Sequence, residues 1–277
     1  MRLLINSCIL LLAHEPIKTK HQILKNTLKV VVWRWGQKYA PKQVNTFWQM
    51  LSRNLHLDFE LVCITDNKEG LDSHIRPVIW PSYGLGRARR LQLFDKAQAE
   101  RDIGKRILQL DLDCVITGDL TPLVNRPDPF VVWESVHNMR WMHSGDTGKL
   151  MENTKQEVNP FNSSMILMDA GVLPTLWNDY IMNAEEVETR ARKAGHWTAL
   201  VTDGKAEMIP PGDDDQAVMT LYARPLNPPT WGEADGVYKY KRIKDAPLPD
   251  NAKIVFFQGF DARNYAAKSP WIMEHLR

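Results

Sequence analysis

The chain has 277 residues, of which 44% are hydrophobic and 25% charged, a composition typical of a globular protein with enough material for a sizeable core. Its 35 basic and 33 acidic residues balance to a net charge of +2, which argues against a nucleic-acid partner. No segment has the roughly twenty consecutive apolar residues that a transmembrane helix needs, so we expect no membrane span.

Residues 1–27 precede the first regular pattern and are predicted to form an extension of uncertain order. Their apolar run resembles a signal sequence, but it is short, interrupted by polar residues and followed by a poor cleavage site. The cysteines Cys63 and Cys114 lie in apolar, strand-like runs, which is typical of free thiols in a reducing compartment. We therefore expect a cytoplasmic protein with one main domain at residues 28–277.

The first part of that domain alternates strand and helix patterns. A continuous β-branched run is typical of a buried parallel strand, and apolar residues at helical spacing follow it. In order, the predicted elements are strand Lys29–Trp33, a helix from Pro41 to Leu55, strand Phe59–Thr65, edge strand His74–Trp80 and helix Gly84–Gln98.

The second part continues the alternation. It predicts a strand from Arg106, strand Phe130–Trp133, a long loop at 138–160, strand Ser164–Met168, helices Val172–Asn183 and Glu185–Ala194, a helix that opens at 212–215, and strand Lys253–Phe257. This order indicates an α/β fold, in which a mostly parallel sheet has helices on both faces. Ligands of such folds bind at the carboxyl ends of the strands.

Two aspartates interrupt the apolar run Arg106–Ile116 at alternate positions. If the strand continues through them, Asp111 and Asp113 point to one side of it; the alternative is that the strand ends near Leu110 and both belong to a turn or cap. Because burying uncompensated carboxylates costs several kcal/mol, a cation at a cleft accounts for them best. We favour a metal site.

Polar clusters at other predicted element ends support a site at one edge of the sheet. Thr65-Asp66 ends one strand, Asn162-Ser163 begins another, and Asp213–Gln216 opens a helix. A diphosphate held by a divalent ion needs oxygen ligands for the metal and cations for the phosphates, and the arginines at 87, 89 and 90 can supply the cations. For one of the three aspartates at 213–215 the alternative is helix N-capping, and for any single arginine it is a solvated helix face.

With these residues in this order, the chain resembles the nucleotide-diphospho-sugar transferases of the GT-A fold, specifically the glycogenin-like glycosyltransferases and their bacterial and phage relatives. The resemblance covers residues 29–271. Leu110–Asp113 with Gly118-Asp119-Leu120 is similar to the family's metal-binding D-x-D segment. Phe161–Asp169 is similar to the strand that lines the sugar donor, and 212–216 to the Asp-Gln motif near the reacting sugar carbon.

The resemblance implies a single GT-A (Rossmann-like) domain that binds Mn²⁺ or Mg²⁺ and moves a sugar from a nucleotide-diphosphate donor, expected to be UDP-linked, to a glycan, a lipid-linked or another hydroxyl acceptor. The catalytic residues it implies are Asp215, Asp214 and Gln216, and the metal ligands are Asp111, Asp113 and Gln258. The donor-binding residues it implies are Val32, Trp33, Tyr39, Asp66, Arg87, Arg90, Asp111, Asn162, Ser163, Gly259 and Lys268.

The late segment departs from the family pattern. Gln258 stands where a histidine is expected, and the spacing from Gly259 to Lys268 is longer than usual. An amide oxygen binds Mn²⁺ less firmly than imidazole does, so one alternative is a sugar-nucleotide binder without turnover. A nucleotidyltransferase of similar fold is the other, and the lack of a glycine-rich phosphate loop near the first strand counts against it. Acceptor determinants are expected in the loop at 138–160, with Trp141 as a candidate contact.

Overall fold

The computed structural model describes residues 27–81, 86–134, 159–194, 199–202, 205–208, 214–257 and 261–277. Nearly all of the amino-terminal extension and of the loop predicted at 138–160 lies outside these residues. The described strands are β1 (Leu28–Arg34), β2 (Phe59–Thr65), β3 (Arg76–Val78), β4 (Arg106–Leu110), β5 (Cys114–Ile116), β6 (Phe130–Glu134), β7 (Phe161–Asp169), β8 (Ala199–Thr202), β9 (Lys205–Met208), β10 (Thr230–Trp231), β11 (Val237–Lys239) and β12 (Ile254–Phe256). The described α-helices are α1 (Pro41–Asn54), α2 (Lys96–Asp102), α3 (Thr121–Val124), α4 (Leu176–Met182), α5 (Ala184–Lys193), α6 (Asp215–Ala223), α7 (Tyr240–Ile243) and α8 (Trp271–His275).

Seven of the described strands form the central sheet, in the order β10-β6-β7-β4-β1-β2-β3. All neighbouring pairs are parallel except those that β7 makes with β4 and β6. The part β3-β2-β1-β4 has the strand order of Rossmann-like folds. The predicted α/β class with a mostly parallel sheet is confirmed, and β3 lies at the edge, as Pro77 predicted.

Apolar side chains cover both faces of this sheet because its central strands are buried on both sides. In β1, Val30 and Val32 pack with α1 on one face, whereas Val31 and Trp33 pack on the other with α2, α4, α5 and α6. Alternating residues of an extended strand point to opposite faces, so a continuous apolar run is what a two-sided core requires.

A smaller sheet, β11-β12-β5, packs on the α1 side of the central sheet. The chain enters it directly from β4: the Asp111 N–H still donates to the Ser164 carbonyl at 2.9 Å in the central sheet, whereas the Asp113 carbonyl accepts from the Phe257 N–H at 2.7 Å beside the small sheet. The prediction of one unbroken strand through both aspartates is therefore wrong. The main-sheet strand ends at Leu110, because the chain changes hydrogen-bonding partners between the two sheets.

Two helix predictions are corrected. The segment predicted as helix Gly84–Gln98 is a 3₁₀ helix at Gly86–Phe94 followed by α2, and Asp95 separates them because its side chain accepts from the Gln98 N–H at 3.1 Å as an N-cap. The helix predicted from Val172 begins at Leu176 instead. Gly171 has a φ of +84°, which is outside the helical region. Leu173 precedes Pro174, and the residue before a proline disfavours helical backbone geometry, so the helix begins only at Leu176.

Candidate active site

Arg90 is the centre of a charged cluster at the carboxyl ends of the parallel strands. Its Nη1 donates to Asp111 Oδ1, its Nη2 to Ser163 Oγ at 2.6 Å, and its Nε and Nη2 to Asp215 Oδ2 at 2.9 and 2.5 Å. The Arg90 side chain is 11% exposed, and that of Asp215 is 8% exposed. Four segments that are far apart in sequence thus meet through one guanidinium.

The partners of Arg90 lie at or near element ends, whereas Arg90 itself is in the middle of the 3₁₀ helix. Asp111 follows β4, and Ser163 lies near the start of β7, which reaches the same edge because β7 runs antiparallel to β4. Asp215 is the first residue of α6, and Asp214 caps that helix by accepting the Ala217 N–H at 3.0 Å. Asp214 is therefore the N-cap of α6, and Asp215 pairs with Arg90.

The neighbouring charges shift the pKa values of Arg90 and Asp215. Burial by itself lowers the pKa of Arg90, but Asp111 and Asp215 outweigh it and raise that pKa above the usual value. Burial raises the pKa of Asp215, and the adjacent Arg90 opposes the shift. The guanidinium therefore stays charged and serves as the counter-ion of the surrounding carboxylates.

Asp113 and Tyr39 lie next to this cluster. The Asp113 side chain is buried. Burial raises the pKa of the Tyr39 phenol, and the negative charges of Asp113 and then Asp111 raise it further. The phenol therefore stays protonated and can act as a hydrogen-bond donor.

An aromatic pocket lies beside the cluster. It is lined by the ends of β1 and β2, the segment after β3 and the 3₁₀ helix, namely by Trp33, Trp35, Ile64, Thr65, Asp66, Trp80, Pro81, Arg89 and Gln92. Trp33 packs edge-on against Trp35 and Trp80 at centroid distances of 5.9 and 5.8 Å, and the Arg89 guanidinium lies 4.6 Å from the Trp35 ring centroid. Flat apolar walls with polar groups at the rim suit a planar heterocycle.

The pocket and the charged cluster are connected by hydrogen bonds. Trp33 Nε1 donates to Gln109 Oε1 at 3.4 Å, and Gln109 Nε2 donates to the Ser163 carbonyl at 2.8 Å. Ser163 in turn accepts from Arg90. The buried Gln109 side chain therefore joins the inner wall of the pocket to the charged cluster, and the two features lie side by side.

A turn after β1 shapes the rim of the pocket. Gly36 has a φ of +60°, a conformation that favours glycine, and its N–H donates to Asp66 Oδ2 at 2.8 Å. Arg34 holds the same two loops together by donating to the Tyr39 carbonyl at 3.0 Å and to Thr65 Oγ1 at 3.2 Å. The predicted site residues Tyr39 and Asp66 are thereby anchored by backbone contacts.

The remaining predicted site residues are distributed more widely. Asn162 and Gln216 are buried at the ends of their elements, and Arg87 is exposed on the 3₁₀ helix. Val32 is fully buried in the core on the α1 side. Lys268 is exposed before α8, and no described contact joins it to the aspartates. Gln258, Gly259, Asp213 and Trp141 lie outside the described residues.

The sequence analysis did not predict several residues of the site. Gln109 is 1% exposed in β4, and its position as a lone amide in an otherwise apolar strand was a usable signal. Trp35, Trp80 and Gln92 carried no such signal, because their common pocket arises only when loops from separate elements come together.

The donor groups fit a divalent cation that arrives with phosphate. In the described ranges, no three His, Cys, Asp or Glu side chains form a group that could hold a metal ion. Asp111 and Asp113 nevertheless provide carboxylate oxygens from two residues separated by one, and Mg²⁺ in proteins is commonly held by one or two carboxylates together with waters and substrate phosphates.

Among the described helices, none is long and apolar enough to cross a bilayer.

Comparisons with known proteins give likeness in structure and none in sequence. No protein family model matches this chain, and no curated protein matches it. Among solved structures, the chain is similar to the WbbM bifunctional glycosyltransferase in its apo structure, with a TM-score of 0.48 and 10% sequence identity over 91% of this chain. The match covers 51% of WbbM, so this chain spans about half the length of that protein.

Proposed function

We propose that this protein is a metal-dependent glycosyltransferase that takes a nucleotide-diphosphate sugar, expected to be UDP-linked, and transfers the sugar to a hydroxyl acceptor. The observation that carries the proposal is that the Trp33 pocket and the Arg90 cluster lie side by side, joined by hydrogen bonds through the buried Gln109 and Ser163. Its aromatic end suits a nucleobase, and its charged end suits a diphosphate with a cation.

The aromatic pocket would hold the base, with Asp66 at its rim as a hydrogen-bond acceptor. The Tyr39 hydroxyl would donate to the ribose or a phosphate oxygen, since it stays protonated and the charges of Asp113 and Asp111 influence it. These contacts would place the diphosphate against Asp111 and Asp113. Fixing the donor in one orientation contributes to the rate because the reacting bond is then presented in one geometry.

Asp111 and Asp113 would hold the divalent cation, which when bound supplies Lewis-acid stabilisation of the leaving diphosphate. Arg90 adds a fixed positive charge at the same edge. Preorganised cations are effective where negative charge develops, and losing one such contact commonly costs about 2–4 kcal/mol of transition-state stabilisation. Asp215 lies on the other side of Arg90, where it could stabilise a cationic sugar or accept the proton of an acceptor.

Calorimetric titration tests the proposal. UDP, GDP and a panel of their sugars are titrated into the protein with Mn²⁺ and with chelator, and into Asp113→Asn; Asp58→Asn, which changes an exposed carboxylate before β2, is the matched control. We expect one nucleotide to bind only with metal, Asp113→Asn to lose that binding with its fold intact, and the control to bind normally.

The alternatives give different results. Metal-dependent binding without release of the nucleotide product, across a panel of acceptors and water, would favour a sugar-nucleotide binder without turnover. Unchanged donor affinity and turnover in folded Asp113→Asn would contradict the metal site at Asp111 and Asp113.

A further inference from the structure

In the free protein, Arg90 takes up one of the carboxylates that the cation would need. Its three guanidinium nitrogens all donate: Nη1 to Asp111, Nη2 to Ser163 and Asp215, and Nε to Asp215. Asp111 Oδ1 therefore already has a cationic partner.

The geometry keeps that partner in place. Arg90 is on the 3₁₀ helix, and its neighbours Ala88 and Leu91 are buried in the core. The Asp111 N–H donates to the Ser164 carbonyl, and Asp215 is the first residue of α6. Regular backbone structure therefore positions both aspartates. A divalent ion that binds Asp111 Oδ1 competes with the guanidinium for that oxygen.

We propose that Arg90 is a positioning residue that sets the metal affinity of this site by competing with the divalent cation for Asp111. The inference rests on the proposed function, since it assigns the metal to Asp111 and Asp113. Metal alone then binds weakly. A diphosphate offers oxygens both to the metal and to the displaced guanidinium, so metal and nucleotide bind together more tightly than either binds alone.

The charges of the cluster allow a test that separates competition from net charge. Asp111, Asp113 and Asp215 carry three carboxylates and Arg90 one guanidinium. The double variant Arg90→Met/Asp215→Asn removes one charge of each sign, so the net charge of the cluster is unchanged while Asp111 loses its competitor. If only net charge mattered, the double variant would bind Mn²⁺ as the wild type does.

The measurement is Mn²⁺ binding to the full chain by electron paramagnetic resonance of the free ion, with and without UDP. The proteins are wild type, the double variant, Arg90→Lys, Asp113→Asn and Arg53→Met, the last being the matched control because Arg53 is exposed on α1 and donates to the His275 carbonyl instead of the aspartates. Circular dichroism verifies that each variant is folded.

We expect the double variant to bind Mn²⁺ at least about tenfold more tightly than wild type without UDP, a difference of about 1.4 kcal/mol. Arg90→Lys should also bind more tightly, because an ammonium lacks the fork that reaches all three acceptors. Arg53→Met should stay within about twofold of wild type. A residue that only supported the fold would shift the affinity in the opposite direction or leave it unchanged.

The two ideas fail in different ways. If the double variant and Arg90→Lys bind Mn²⁺ no more tightly than wild type while Asp113→Asn loses binding, the competition is refuted and the metal site stands. If wild type and variants do not bind Mn²⁺ even with UDP, or if Asp113→Asn binds as well as wild type, the metal assignment fails, and the competition fails with it. Should the double variant not fold, Arg90→Lys decides by the same criterion.

Discussion

Two buried cations of this protein have opposite surroundings. Arg90 contacts two carboxylates and a hydroxyl at the edge of the central sheet. Lys239, at the end of β11 in the small sheet, is 9% exposed, and within the part of the chain that the structure describes no carboxylate pairs with it. Its charged neighbours are Lys241 and Arg242.

The difference shows two ways in which a fold can accommodate a buried cation. Desolvation disfavours both charges. At Arg90, adjacent carboxylates outweigh it, so the charge remains and is available to organise a site. At Lys239, burial and then the two neighbouring cations lower the pKa to about 8, so the amine loses its proton at a pH only slightly above neutral. Only the first arrangement keeps its charge above that pH.

The largest effect is expected for Arg90→Met. Removing the guanidinium leaves Asp111 and Asp215 partly buried without their counter-ion, which should lower the free energy of unfolding by about 3–5 kcal/mol. Urea denaturation at neutral pH measures it. Arg89→Met should cost less than about 1 kcal/mol, because it removes a cation–π contact at the rim of the pocket. Equal losses in the two variants would contradict the comparison.

Lys239→Met is expected to raise the free energy of unfolding, whereas Arg90→Met lowers it. Because the folded pKa of about 8 lies below the ordinary lysine pKa of 10.5, the unfolded chain binds more protons between these pH values, and wild-type stability should rise as pH increases through that window. The variant lacks that rise and should be more stable at pH 7 by about 2–3 kcal/mol.

Urea denaturation of both proteins from pH 6 to 10.5 gives the difference that Lys239 causes, since other titrating groups cancel. Lys244→Met, which removes an exposed amine nearby, is the control and should follow the wild-type curve. A Lys239→Met curve parallel to that of wild type would show that the amine is charged in the folded protein throughout.

A smaller loss is expected for Gln109→Leu. The substitution fits the apolar strand but leaves the Ser163 carbonyl and the Trp33 indole N–H without their amide partner, at a cost of about 1–3 kcal/mol. Thermal unfolding measures the loss. UDP affinity should fall as well, because this amide joins the pocket to the cluster; normal affinity in a destabilised variant would restrict Gln109 to a structural role.

The smallest effect is expected for Arg263→Met. Arg263 pairs with Asp261 two residues away, where both side chains are substantially solvent-accessible. Surface ion pairs contribute about 0–1 kcal/mol, so unfolding should change by less than that, and by less still in high salt. A loss as large as that for Arg90→Met would mean that pairing alone, without burial, accounts for the cluster.

Local patterns predicted the elements whose residues determine their own conformation. Strand Phe59–Thr65 and helix Pro41–Asn54 follow from β-branched runs, a proline at a helix start and helical apolar spacing, and the structure confirms them. Such signals are carried by neighbouring residues. The helix predicted at Gly84–Gln98 was wrong because a single side chain, Asp95, caps a new helix inside an otherwise helical pattern.

The sequence by itself determined the α/β class, the strand end that carries Asp66 and a helix that opens at 212–215, since periodicity and capping are local properties. The tertiary structure alone decided that the strand stops at Leu110 and that Arg90 joins Asp111 to Asp215. Both depend on pairing between residues far apart in the chain: the first on the change of sheet partner, the second on an ion pair between positions 125 residues apart. No local pattern records such a pairing, because its free energy arises only when the sheet edge excludes water from all of its members.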